Sequence, residues 1–467
     1  MGNKGDVSRR RRGKNMKFTL KVALGAALLS SSAMASAESV IVLGQGGGNL
    51  DAAVAAAGGT VKKRLKGIDA VVAEGGAGFL SAIAAEPGVT GVAEDREFNF
   101  LPPADRVELV GDSAVNPPNN PPGIDRLFNL QWGHTAVKAV DAWHKGFEGQ
   151  GARVAVLDGG FQLAHPDMAG RFDPTCTADM TGEGIAYGPN PADPSGTFSH
   201  GMHTAGTVGA ARNNFGSIGV APKATLCLVK VLFNRGSGSF ADVAEGIIYA
   251  ADRNVDVISM SLGASFQKSS PGASTLRALV DRAVSYAYKQ GALVITSAGN
   301  DGESADSPKI SGTPADLIHI PSDSPQAISI SATAPHGWAK DPNNTFLDNP
   351  ASYTNYGRSV INLAAPGGDR LPSVTGTCRI APVTTACNVF DLVLSTGANN
   401  AHYFSAGTSM ATPHVAGVAA LIVSKYGKMH PAKLRAYLNG GADDLGQPGH
   451  DPFYGNGRVN ALGSVSK

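Results

Sequence analysis

Arg153-Val154-Ala155-Val156-Leu157-Asp158 is an apolar run that ends in a carboxylate and is followed at once by Gly159-Gly160. Such a run, bounded by glycines, reads as a strand buried on both faces of a parallel sheet. Further apolar stretches near Thr225, Val255, Leu293, Ala327 and Val360 alternate with helical stretches near His200, Ala241, Ser274 and Ser409. This alternation predicts an α/β fold, a doubly wound parallel sheet with helices on both faces. Active sites of open α/β sheets gather at strand C-terminal tips, which is where Asp158 falls.

Two segments supply partners for that acid. Ser199-His200-Gly201-Met202-His203-Thr204-Ala205-Gly206 sets a histidine at the mouth of a helix of small residues. Phe404-Ser405-Ala406-Gly407-Thr408-Ser409-Met410-Ala411-Thr412-Pro413-His414-Val415-Ala416-Gly417 delivers a serine onto the start of an apolar helix, after a glycine that lets the backbone bend. Asp, His and Ser in that order match one of the convergent catalytic triads. His200 would take the serine proton and return it to the leaving amine, and Asp158 would fix the imidazole tautomer.

These three blocks resemble the signature motifs of the subtilisin-like serine proteases, the subtilases, and the likeness runs from about Gln131 to Asn460. The resemblance implies an endopeptidase working through Asp158, His200 and Ser409 by way of an acyl-enzyme. Ala298-Gly299-Asn300-Asp301 resembles the family's oxyanion block, so Asn300 and the Ser409 amide would be the donors. Ser261, Leu262 and Gly263 would then line the primary specificity pocket, with Gly236 and Gly238 on the opposite edge of the cleft. A substrate added as an extra strand is read mainly through its backbone, so broad cleavage with an apolar or aromatic bias before the scissile bond is expected. Asp301 and Glu303 would add some tolerance for basic residues there.

The same resemblance implies structural calcium. Asp167, Ala211, Asn213, Phe215 and Ser217 match the family's tight site, and Asp125 is a further candidate; the alternative is a plain turn closed by an Asx hydrogen bond. His200 and His203 do not form a zinc pair, because their spacing is not i, i+4 and no acid stands beside them. His203 is read as structural.

The chain is 467 residues long, 42% hydrophobic and 16% charged, which is the composition of a globular protein. Residues 1–37 read as a Sec-type signal peptide. The basic run Arg9–Arg12 and Lys14 precedes a short apolar stretch that ends in Ala35-Ser36-Ala37. The apolar residues expected directly after a twin-arginine pair are missing, which favours the general secretory route. Removing this segment leaves 31 basic and 37 acidic residues, so no basic patch argues for nucleic acid. The exported protein is read as a monomer, outside the membrane after signal cleavage.

Residues 38–100 alternate strand, helix, strand, strand, helix, strand, a ferredoxin-like α+β pattern. Gly44-Gln45-Gly46-Gly47-Gly48-Asn49 suggests a dinucleotide fingerprint, but Asn49 stands where the third glycine belongs, so no organic cofactor is expected. The unit instead resembles the inhibitory prodomain of secreted subtilases, an intramolecular partner whose tail would lie in the cleft. Residues 101–122, with three Pro-Pro pairs, read as a processing linker, and 123–467 as the catalytic domain. Four cysteines in an exported chain favour disulfides. Cys378 and Cys387 are close enough for a local loop, which would leave Cys176 with Cys227, although three connectivities are formally possible.

Two other classes compete with this reading. An esterase of the α/β-hydrolase type needs Gly-x-Ser-x-Gly and a late histidine, whereas here Ala411 replaces the last glycine and His200 precedes the serine. A noncatalytic binding or inhibitor protein on the same scaffold is the other alternative.

Overall fold

A computed structural model of the chain describes residues 37–101, 106–108, 124–188, 198–306 and 317–467. The signal-peptide segment, most of the proline-rich linker and two internal stretches lie outside the described residues.

The N-terminal unit runs β1 (Glu38–Gly44), α1 (Leu50–Ala56), β2 (Thr60–Leu65), β3 (Ala70–Gly75), α2 (Phe79–Ala84) and β4 (Val89–Glu94). Its sheet order is β2-β3-β1-β4, with β1 antiparallel to both β3 and β4. Val40, Val42, Val71 and Ala73 face Val54, Phe79 and Ile83 of the two helices in a small core of their own. Two short strands follow, β5 (Phe98–Asn99) and β6 (Arg106–Glu108).

The larger part of the chain begins with α3 (Trp132–Ala136) and α4 (Ala139–His144), then β7 (Arg153–Asp158), β8 (Ala178–Asp179), α5 (His200–Gly209), β9 (Thr225–Lys230), β10 (Ser237–Gly238) and α6 (Phe240–Asp252). It continues with β11 (Val257–Met260), β12 (Ala264–Gln267), α7 (Ala273–Gln290), β13 (Leu293–Ser297), β14 (Leu317–Ile320), β15 (Ile328–Ala334), β16 (Asn349–Pro350) and β17 (Ile361–Pro366). Last come β18 (Thr377–Ile380), β19 (Val383–Ala386), β20 (Val393–Thr396), β21 (His402–Ser405), α8 (Thr408–Tyr426), α9 (Pro431–Gly441) and α10 (Ala461–Val465).

The central sheet follows the order β16-β15-β13-β11-β7-β9-β8, with β17 also on β15. All its pairs are parallel except that between β15 and the two-residue β16. Alternation along each strand explains why the runs are apolar throughout. Val154 and Val156 point into a core shared with α5, α8, α9 and α10, while Ala155 and Leu157 point into a second core shared with α6 and α7. Both faces are covered, so neither can be polar.

The helices carry ordinary local signals. Ser239 caps α6 by accepting from the Asp242 amide, and Gly291 ends α7 with a left-handed φ of 94°. The N-terminal unit packs on these two helices: Lys63 pairs with Asp242 and Glu245, and Arg282 donates to the carbonyls of Gly44, Ile68 and Asp69.

Two disulfides staple the chain, Cys176–Cys227 and Cys378–Cys387. The first ties β9 to the segment before β8 across 51 residues, and the second closes the β18–β19 hairpin across nine. By loop-closure entropy the longer link is worth about 4 kcal/mol and the shorter about 2.5 kcal/mol. A Cys176→Ala/Cys227→Ala variant is therefore expected to unfold at clearly lower urea than the wild type, with a larger loss than the Cys378→Ala/Cys387→Ala variant. Equal midpoints for the two variants would contradict this ordering.

Candidate active site

Three elements of the sheet layer deliver the predicted residues. Asp158 ends β7, is fully buried, and spends both carboxylate oxygens. Oδ1 accepts from the Gly159 amide at 2.7 Å, Oδ2 accepts from the Thr204 hydroxyl at 3.0 Å, and both lie 2.9 Å from His200 Nδ1. His200 opens α5, capped by Ser199, whose hydroxyl accepts from the Met202 amide and donates to the Gly160 carbonyl at 2.7 Å. With Nδ1–H committed to the acid, Nε2 of the neutral ring is the basic atom. Thr204 is one helical turn beyond His200 on the same face, and its i, i+4 spacing alone does not single it out in the sequence.

Ser409 is the second residue of α8 and is almost entirely buried. Its hydroxyl donates to the Ser261 carbonyl at 3.2 Å, and the Ser261 hydroxyl returns a bond to the Ser409 carbonyl at 2.7 Å. The resting hydroxyl is thus held on the Ser261–Gly263 edge and not on the imidazole. Catalytic hydrogen bonds often tighten only when substrate arrives.

The space over Gly407 is the most informative part of the site. Gly407 has φ 153° and ψ 158°, a conformation essentially restricted to glycine. A Cβ built there would lie 3.5 Å from Asn300 Nδ2 and 3.6 Å from the Ser409 amide nitrogen. Asn300 Oδ1 is already taken by the Thr408 amide at 2.9 Å and the Thr408 hydroxyl at 2.8 Å, which turns Nδ2 toward that hollow. The Ser409 amide is a first-turn donor with no intrahelical acceptor. Asn300 Nδ2 and the Ser409 amide nitrogen therefore flank one small space over Gly407.

His203 and His414, the other imidazoles of these motifs, are structural. His203 Nε2 donates to the Val393 and Tyr403 carbonyls at 3.1 and 3.0 Å, and burial lowers its pKa to about 3. His414 Nδ1 bonds the Met410 carbonyl at 2.8 Å, and burial lowers its pKa to about 4.

The residues expected to edge a cleft are paired with an earlier part of the chain. β5 pairs antiparallel with β10, Asn99 opposite Ser237 and Phe98 opposite Gly238. The Phe100 amide donates to the Gly236 carbonyl at 3.1 Å, and the Gly263 amide donates to the Phe100 carbonyl at 3.3 Å. β6 pairs with β21, which leads directly into Ser409. The composition of residues 101–122 suggests a polar processing segment and no strand, so this second pairing is not legible in the sequence.

The residues expected to bind calcium form one cluster. Asp167 Oδ2 accepts from the Ser217 amide at 3.0 Å, the Ser217 hydroxyl at 3.1 Å and His402 Nε2 at 2.7 Å. Asp167 Oδ1 is buried and makes no hydrogen bond. Asp125 accepts from the Asn213 and Asn214 amides, and its pKa is pushed up to about 6, mainly by burial, with the Asp167 charge adding to the rise. The Ala211 amide donates to the Asp167 carbonyl at 2.7 Å, and Asn213 Oδ1 accepts from the Phe215 amide at 3.0 Å. An orphaned carboxylate oxygen close to a second acid fits a hard cation with oxygen ligands. Among the described residues no group of three or more His, Cys, Asp or Glu side chains is arranged to hold a metal, so such an ion would lean on main-chain and amide oxygens.

The structure thus pairs a buried acid with His200 at the end of β7 and sets Ser409 at the start of α8, on a parallel α/β sheet. Known proteins resolve the family. The model of the Subtilase family matches residues 149–457. Thermitase of Thermoactinomyces vulgaris is 34% identical over 349 residues, covering 74% of this chain and 99% of thermitase. Subtilisin E of Bacillus subtilis is 32% identical over 333 residues, 71% of this chain and 70% of its own length. The epidermin leader peptide processing serine protease of Staphylococcus aureus shares the fold, with a TM-score of 0.69 over 92% of this chain and 99% of that one at 19% identity. This chain belongs to the subtilase family of serine peptidases.

Proposed function

We propose that the protein is a secreted serine endopeptidase that uses Asp158, His200 and Ser409 as its triad. His200 Nε2 accepts the Ser409 proton as Oγ attacks the substrate carbonyl carbon, and the oxyanion is received by Asn300 Nδ2 and the Ser409 amide. Collapse expels the amine, which takes the proton from His200 and leaves an acyl group on Ser409. Water, deprotonated by the same imidazole, then attacks the acyl carbon, and the proton returns to Oγ as the acid departs. The 2.9 Å contacts between the buried Asp158 carboxylate and His200 Nδ1 are the observation that carries this reading.

The N-terminal unit acts as an intramolecular inhibitor, and the linker at 101–122 is cut by the enzyme itself. Support comes from the substrate-like pairing of Phe98–Phe100 with Gly236, Gly238 and Gly263, which fills the edges a peptide would need. Export is by the N-terminal signal segment; no described helix is long and apolar enough to cross a membrane. The test compares the full chain with a Ser409→Ala variant. The wild type should trim its own N-terminal region and then hydrolyse casein in a manner blocked by a phosphonyl fluoride. A variant that matures equally well would assign processing to another enzyme.

Calcium would be held by Asp125, Asp167, the Asn213 side-chain oxygen and the main chain at Ala211, Phe215 and Ser217, and would supply charge neutralisation to a loop beside α5. Binding to the native state alone stabilises by about 3 kcal/mol when the free ion is a hundredfold above its Kd. Chelation is therefore expected to lower the melting temperature, and added calcium to restore it. Superimposable melts with and without chelator would remove calcium from this account.

A further inference from the structure

In the reading above, the side chain that precedes the scissile bond must enter between the Ser261–Gly263 edge, which holds the resting Ser409 hydroxyl, and the Ala298–Asn300 turn, which presents the oxyanion amide. Gly263 and Gly299 are the residues whose missing side chains would leave that slot open. The structure shows the slot already filled. A Cβ built on Gly263 would collide with His319 Cε1 and lie 2.5 Å from Nε2. One built on Gly299 would collide with Asn355 Nδ2 and lie 3.0 Å from both His319 Cδ2 and Nε2. A single imidazole is therefore packed against both glycines.

The ring is fixed from behind. His319 lies on β14, opposite Ser265 of β12. Its Nδ1 is 2.9 Å from the Ser322 hydroxyl, which itself donates to the His319 carbonyl at 3.0 Å, so Nδ1 carries the proton and Nε2 is left facing the slot. Burial keeps the imidazole neutral, lowering its pKa to about 4 against the pull of Asp301. His319 also lines a cavity, together with Lys268, Arg277, Asp301, Glu303, Asn355 and Tyr356.

We propose that His319 is a specificity-determining residue that limits the position before the scissile bond to glycine, alanine or serine. This rests on the peptidase reading of Asp158, His200 and Ser409, and it replaces the aromatic bias expected from family resemblance. A pocket one methylene too small already costs 10- to 200-fold in discrimination, and a whole ring asks for much more space than that.

The test uses the full chain, matured by its own processing, and two peptide anilides that differ only in alanine or phenylalanine before the cleaved bond. The wild type should favour alanine in kcat/KM by at least about tenfold. His319→Gly opens the slot into the cavity and should raise kcat/KM for phenylalanine by about a hundredfold, leaving the alanine substrate within a few-fold. A purely structural role would depress both substrates together and leave their ratio unchanged, which would overturn the proposal. If the variant does not mature, the fragments that the wild type cuts from a denatured protein decide the matter. Alanine, glycine and serine should dominate the residues before each cut, and a predominance of phenylalanine, tyrosine or leucine would overturn it. Absence of all hydrolysis together with no fluoride adduct on Ser409 would defeat the peptidase reading itself, and this proposal with it.

Discussion

Ser409→Ala is expected to reduce kcat by about 10⁶, a magnitude measured in the family's subtilisins and carried over to this chain. The variant keeps the buried Asp158–His200 pair and both amide donors over Gly407, so binding and oxyanion stabilisation survive while no covalent intermediate can form. That residue of the machinery still leaves about 10³- to 10⁴-fold over the uncatalysed rate. The fold should barely respond, because the lost hydroxyl makes one bond, to the Ser261 carbonyl, of the kind worth about 1 kcal/mol. Active-site kinetics on a peptide anilide, with a urea melt alongside, separate the two effects. A loss of less than a hundredfold would place the nucleophile elsewhere.

Asp158→Asn should cost about 10⁴ in kcat, the size of effect seen when the orienting acid of a serine protease is neutralised. The carboxylate is fully buried and accepts from three donors: the Gly159 amide, the Thr204 hydroxyl and His200 Nδ1–H. An asparagine presents an NH₂ to one of them. Turned toward the imidazole, it forces the proton onto Nε2 and removes the base; turned toward Thr204, it asks the hydroxyl to reverse. The loss should fall on kcat with little change in KM, since nothing at Asp158 touches the cleft. A change confined to KM would show that the acid positions substrate and not the imidazole.

Much of this was readable in the chain because the chemistry sits at the ends of regular elements. The run Arg153–Asp158 is apolar throughout since both faces of β7 are covered, and its last residue is polar since the strand ends there. Ser199 before His200 and Gly407 before Thr408 mark the two helix starts that present the proposed base and nucleophile. What escaped reading depends on contacts between distant segments. His319 is an isolated histidine in a short strand, and its place follows only when β14 lies beside β12 and the Gly263 and Gly299 backbones close over the ring. The pairing of β6 with β21 likewise joins residues about 300 positions apart, across a proline-rich stretch whose composition suggests no strand. Thr204 was hidden for a different reason: threonine in a helix of small residues has many uses, and only the buried acid beside it singles out this one.

The central claim is that the alcohol of Ser409 is the activated nucleophile of this fold. Mass spectrometry of the matured enzyme after treatment with a phosphonyl fluoride tests it most directly. The account predicts one adduct per chain, on the peptide that contains Ser409, appearing in step with the loss of activity and absent from a His200→Ala variant treated in parallel. Full inactivation with the label on another residue, or activity that persists once Ser409 is fully modified, would contradict it.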